Sequence, residues 1–359
     1  MNAHPSFDET TTLLEASEAL LERALAAGQT LTGGGKLIDE HQVVTERLAY
    51  AATEAVAARE LTQAVHELRA EGQSDAALEL TAVGAMGHLV SGLRSRLFNV
   101  IDELGLGDET MEEIFPAETR ALLRRASSEG LYRDIGIQVT QDLGANEYPL
   151  DEMHEQVRAQ VREFAAAEVA PHAEHIHRND ELVPEHFITD MAELGFFGLS
   201  VPEEYGGVEM GNLAMILTTE ELSRASLAAA GSLITRPEIL TKALMGGGTE
   251  EQKQEWLPRL ASGEIMVGIS VTEPGIGSNV AGARCKAEKA VVDGQEGWVI
   301  NGPKAWCTFA GRANVLALLA RTDPDPGQGA KGLSLFIVPK QSSTEHAFEE
   351  VQPGGGKLT

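Results

Sequence analysis

The chain has 359 residues, 43% of them hydrophobic and 23% charged, the proportions of a soluble globular protein long enough for two or three domains. With 55 acidic against 28 basic side chains its formal charge is −27, which repels nucleic-acid phosphates and anionic membrane surfaces and leaves room only for a local basic pocket. The N-terminal "MNAHPSFDETTTLLEASEALLERAL" has acids where a signal peptide needs a basic start, and no segment approaches ~20 uninterrupted apolar residues, so neither export nor membrane insertion is expected.

The first part of the chain, to about residue 145, reads as helix after helix, at about 10–29, 37–71, 74–104 and 110–129. Val44, Leu48, Ala51, Ala55, Ala58, Leu61, Val65 and Leu68 recur at spacings of three and four, which makes one apolar stripe on a long amphipathic helix. "LTGGGKL" and "AEGQSD" interrupt the pattern as short connections between antiparallel helices would. "GIQVTQDLGANEYPLDE" marks a boundary, after which helices are expected at about 150–168, 184–194, 210–230, 234–245 and 249–260. Thr249, with Gln252 three positions on, opens the last of these in a capping-box arrangement.

From Ile265 the texture changes to short apolar or alternating runs separated by "DGQEG", "NGPK" and "TDPDPGQG", the pattern of a small antiparallel β-domain. It stops at "VQPGGGKLT" with no closing element, so the β-domain is expected to be incomplete. The domains read as 1–145, an N-terminal helical extension; 146–264, a second helical domain; and 265–359, the β-domain. The fold class is α+β.

Gly-Ile-Gly in "SVTEPGIGSN" lacks the third glycine and following helix of a dinucleotide fingerprint, because Val280 stands there before the strand-like "RCKAEKAV". Gly275 and Gly277 permit close approach, so backbone amides and the Thr272 and Ser278 hydroxyls can converge on phosphates or on a polar ring edge; an ordinary hairpin is the alternative. In "NGPKAWCTFA" an Asn301-Gly302 turn is expected to feed a strand with Trp306 and Thr308 on one face, an apolar wall beside a hydrogen-bonding group, unless Trp306 is simply a core residue. His172, His175 and His177 do not share one helical face, and no metal site is expected. The glycine triplets at 33–35, 246–248 and 354–356 lack the Lys-Ser/Thr of a phosphate loop and read as linkers or helix stops. Cys285 and Cys307, the two cysteines, have neither disulfide-framework nor zinc-ligand spacing, which suits a reducing cytoplasm.

Taken in order, "FFGLSVPEEYGG", "EELSRAS", "GTEEQKQEWLPRLASGE", "VTEPGIGSN" and "INGPKAWCTFAGRANVLALLARTDP" resemble the acyl-CoA dehydrogenases over about residues 148–359. The resemblance implies an FAD enzyme that oxidises an acyl-CoA to a 2,3-enoyl-CoA and passes electrons to an electron-transfer flavoprotein, acting as a homo-oligomer. It implies that Ile269, Val271 and Thr272 lie along the pyrimidine side of the flavin, and that Gly277 and Ser278 continue that wall. Ser278 also approaches the pyrophosphate and the CoA arm, Trp306 and Cys307 belong to the flavin cover, and Thr308 bonds near N5. No catalytic residue is expected in the chain itself: the family's base is a Glu from a C-terminal helical bundle, expected after Thr359, and Glu273 has no such role.

Asn279 replaces the family's usual Asp, and Ile269 stands where an aromatic is common. The N-terminal extension resembles helices from C-terminal extensions of some family members. Together with "GSLITRPEILTKALMGGGTEEQK" it is most similar to the branch acting on methylsuccinyl-CoA in the ethylmalonyl-CoA pathway of acetate assimilation. The product there is mesaconyl-CoA. A buried substrate carboxylate needs a cationic or multiply hydrogen-bonded partner, for which Arg236 is the candidate, a surface ion pair being its alternative role. Another short- or branched-chain acyl-CoA dehydrogenase, an acyl-CoA oxidase and a non-catalytic binding or assembly fragment lacking the base are the competing readings.

Overall fold

A computed structural model describes residues 4–141, 150–292, 294–343, 350–351 and 357–358. The chain forms two compact units, 1–149 and 150–359.

The first unit is all helical: α1 (Thr11–Leu31), α2 (Gln42–Ala70), α3 (Ala76–Phe98), α4 (Asp108–Ile114), α5 (Ala117–Ala126) and α6 (Glu129–Gln141). The expected stripe on α2 is the buried one, with Thr62 in place of Leu61 as the deepest residue of its turn; its hydroxyl is satisfied by the Ala58 carbonyl at 2.9 Å. Gly33, Gly34 and Gly35 all take positive φ (57°, 70° and 93°), so the triplet turns the chain after α1 as a helix stop should. α3 is long and apolar enough to cross a membrane, with mean hydropathy 1.3, but Val83, Met86, Val90 and Leu93 are buried in the core of the unit. α6 covers part of the segment read from sequence as a boundary, because its Leu131 and Ile135 pack on that core.

The second unit begins with helices α7 (Glu152–Phe164), α8 (Ala170–Arg178), α9 (Glu185–Glu193), α10 (Gly211–Ser226), α11 (Ser232–Gly247) and α12 (Glu250–Ala261). The shared motifs have structural causes. In "VPEEYGG" Tyr205 donates to the Glu250 carboxylate at 2.7 Å, and Gly206 turns with φ 81°. At Gly207 a Cβ would lie 1.9 Å from the Val201 carbonyl oxygen, so no other residue fits without moving backbone. In "EELSRAS" the buried Glu221 of α10 accepts from Arg162 of α7 at 2.9 Å; that guanidinium holds its carboxyl below the usual range despite burial.

A five-stranded sheet follows: β1 (Val267–Ser270), β2 (Lys286–Val292), β3 (Gln295–Asn301), β4 (Val315–Arg321) and β5 (Leu333–Pro339). The α+β class holds, but the sheet is mixed rather than wholly antiparallel. β5 runs antiparallel to β4, and β2 and β3 form a hairpin. β1 pairs with β4 in parallel, Val267 against Val315 through Ser270 against Leu318, and β2 joins β4 through the parallel pair Lys286 and Arg321. A parallel return requires a long crossover, and residues 271–314, which carry both candidate motifs, supply it. β4 reads as a continuous apolar run because it is covered on both faces. Arg312 reaches Glu185 of α9 with two hydrogen bonds, 2.6 and 2.7 Å, tying the sheet to the helices. Residues 354–356 lie outside the described residues, as does most of the segment after Ser343.

Candidate functional site

The two motifs meet beside the end of β1. The amide of Ala305 donates to the Thr272 carbonyl at 2.9 Å, and Lys304 Nζ donates to the Val271 carbonyl at 2.8 Å, so the segments 271–278 and 303–308 form one wall. Beneath them Glu273 and Lys304 form an ion pair at 3.1 Å, with side-chain exposures of 5% and 9%. The Glu273 carboxylate also accepts from the Arg284 amide at 2.9 Å and the Cys285 amide at 2.9 Å. Burial pushes its pKa up, but the two amides and Lys304 together outweigh burial and hold it below the ordinary 4.5. A carboxylate so fully bonded is a clamp for the turn and not a proton acceptor.

The segment after Gly302 is not a strand. β3 ends at Asn301, and residues 303–307 run without regular pairing, because Trp306 (φ 59°) and Phe309 (φ 69°) both take the left-handed region that a strand forbids. Trp306 is 87% exposed, so it is no core tryptophan, and Thr308 is exposed as well. Cys307 between them is half-buried, and burial pushes its thiol pKa up while the nearby Ser270 hydroxyl acts in the opposite direction. Its side chain therefore supports the loop from below. Gly268 makes that support close: a Cβ there would come within 3.3 Å of Cys307 Sγ and 3.4 Å of the Ala310 Cα.

The remaining sequence candidates divide. Thr272 and Val271 are half-buried on the wall, and Ser278 is exposed with Gly277. Ile269 is partly buried and packs against the cluster that contains Leu240, Leu257 and Val267. Arg236, on α11, is half-buried; its Nε is enclosed without a hydrogen-bond partner, and among the described residues no carboxylate pairs with it. Burial depresses its pKa, while the nearby Cys307 acts in the opposite direction, which puts the guanidinium in electrostatic reach of the motif loop. Sequence reasoning missed the clamp of Glu273 and Lys304 and the packing role of Gly268.

This wall fits a flat cofactor with a polar edge. Trp306 is a large aromatic held over open space, and Cβ atoms at Gly275 and Gly277 would meet nothing within 4 Å. Among the described residues the amides of Thr272, Gly277 and Ser278 donate to no backbone carbonyl, so they are available to an acceptor. The donors and the apolar wall are the chemistry a flavin needs.

Residues 151–264 match the acyl-CoA dehydrogenase N-terminal domain, and residues 268–354 match the acyl-CoA dehydrogenase middle domain. The chain is 36% identical over 354 residues to (2S)-methylsuccinyl-CoA dehydrogenase of Cereibacter sphaeroides, a match covering 96% of this chain and 62% of that protein. It is 38% identical over 191 residues to mitochondrial isovaleryl-CoA dehydrogenase of Arabidopsis thaliana, over 53% of this chain and 45% of the relative. Among solved structures, the glutaryl-coenzyme A dehydrogenase complex with glutaryl-CoA is 31% identical with TM-score 0.48, covering 54% of this chain and 48% of that one. The chain thus spans from about half to somewhat under two thirds of the length of these relatives. The two matched domains take up more than half of its residues, in the order and with the motif contacts described above, and it belongs to the acyl-CoA dehydrogenase family, whose members are FAD-dependent.

Proposed function

We propose that the protein takes part in FAD-dependent α,β-dehydrogenation of a short, branched acyl-CoA that bears a second carboxylate, converting methylsuccinyl-CoA to mesaconyl-CoA, with an electron-transfer flavoprotein as acceptor. Arg236 carries this reading: a half-buried cation with an unpartnered Nε beside the motif loop is costly unless an anion joins it, and a substrate carboxylate is that anion. The likeness to methylsuccinyl-CoA dehydrogenase over 96% of the chain, N-terminal helices included, supports the same substrate.

Bound FAD supplies hydride acceptance. Around it Thr272 and Ser278 offer hydroxyl and amide donors, Thr308 a hydroxyl, and Trp306 an apolar wall that keeps water from the reacting carbons. Glu273, the carboxylate on the wall, is held by three donors, the Arg284 and Cys285 amides and Lys304 Nζ, and is not the base that takes the α-proton. The two free thiols suit a reducing cytoplasm.

The test compares reduction of the FAD-loaded enzyme by methylsuccinyl-CoA and butyryl-CoA. Arg236→Ala is expected to lower kcat/KM for methylsuccinyl-CoA about a hundredfold, as loss of a charge-assisted pair does, and to change butyryl-CoA little. Equal losses for the two substrates, or equal efficiencies before substitution, would remove the basis for a carboxylate pocket.

A further inference from the structure

The first unit contains a pocket of about 380 Å³ lined by Ser91, Arg94, Arg120, Leu123, Arg124 and Ser127. Gly87, Ser91 and Arg94 fall at i, i+4 and i+7 on α3, one face of the helix. Gly87 lets that face meet the end of α5: a Cβ there would lie 2.2 Å from the Ala126 carbonyl oxygen. One turn further on, Ser91 Oγ and Ser127 Oγ stand 3.3 Å apart. Arg94 lies over the Phe115 ring, 5.8 Å from its centroid, and its Nε is buried with no hydrogen-bond partner. Arg120 spends one donor on the Phe115 carbonyl at 2.8 Å, and Arg124, one turn later, is exposed.

Pairing elsewhere in the unit makes this cluster unusual. Arg96, two positions from Arg94, holds Glu54 at 3.0 Å, and Arg125, beside Arg124, holds Glu9 at 2.8 Å. Arg23 and Arg59 also have carboxylate partners. Among the described residues Arg94, Arg120 and Arg124 have none, in a chain with 55 acidic and only 28 basic side chains. Three guanidinium groups lining one pocket repel one another unless an anion joins them, and their forked donors with two hydroxyls match a tetrahedral oxyanion.

We infer that this pocket binds a phosphate group, either the free ion or the phosphate of a small phosphorylated metabolite. It uses none of the residues of the flavin wall. The full chain, titrated calorimetrically at fixed ionic strength with inorganic phosphate and separately with AMP, is expected to show one saturable site. Arg120→Gln and Arg124→Gln are each expected to weaken it about tenfold or more, with circular dichroism and FAD content unchanged. Arg124 is exposed and unpaired, so its substitution leaves the fold intact even if that of Arg120 does not. Tighter binding of AMP identifies a phosphorylated metabolite as the ligand class, tighter binding of phosphate the free ion, and either supports the site. Absence of saturable binding of both at millimolar concentration, or binding unaffected by Arg124→Gln, overturns it.

Discussion

Glu273 and Lys304 are brought together across 31 positions of chain, and both are nearly shielded from water. A buried pair of this kind adds little when intact but costs much when one partner is removed, because the other is left charged and unpaired. Lys304→Met is therefore expected to lose about 3–5 kcal/mol of stability at neutral pH, and with it the anchoring of the Val271 carbonyl. The pH dependence follows from the direction of the Glu273 shift. Its folded pKa lies below the ordinary 4.5, so its contribution is complete above that value and is lost as pH falls through the folded one. Urea unfolding of parent and Lys304→Met should differ strongly at pH 7 and converge in acid; equal stabilities at pH 7 would show that the clamp is idle. No periodicity announces this pair. Glu and Lys are surface residues by default, and their burial depends on a fold that brings two loops together.

At the scale of elements, the sequence was most legible where a local rule and a buried face agree. Thr249 and Gln252 form the expected capping box: Gln252 Oε1 accepts from the Thr249 amide at 2.9 Å, and Thr249 Oγ1 from the Gln252 amide. That cap fixes the step from α11, which carries Arg236, to α12, whose Leu257 and Leu260 pack against Val267 of β1. Thr249→Ala should cost about 1 kcal/mol and Thr249→Ser much less, measured as a shift in unfolding midpoint. An unchanged midpoint in the alanine variant would mean that water replaces the cap at no loss. The strand read over Trp306 failed for a reason that alternation cannot reveal. Trp306 and Thr308 are exposed and Cys307 between them is half-buried, but this alternation lies in a loop with left-handed residues at Trp306 and Phe309 rather than on a pleat. The parallel pairing of β1 with β4 was equally hidden, since strand partners are set by the crossover and not by the strands themselves.

At the scale of the whole molecule, each unit has its own interior. The cluster built on Phe7, Leu20, Met86, Phe115 and Leu131 draws only on the first unit, and those around Phe187, Leu260 and Ala320 draw only on the second. A helical unit with a contiguous apolar core of this kind meets the physical requirement for an independent domain. Residues 1–149 expressed alone should therefore be strongly helical and unfold in urea in one cooperative transition, with a slope of about 1–3 kcal/mol/M. A broad, non-cooperative melt, or strong binding of a hydrophobic dye to the isolated piece, would show that its core is completed from outside. Cooperative folding would also leave the arginine pocket between α3 and α5 intact in the isolated unit, because all of its lining residues come from that unit, and so separate phosphate binding from every flavin-dependent step.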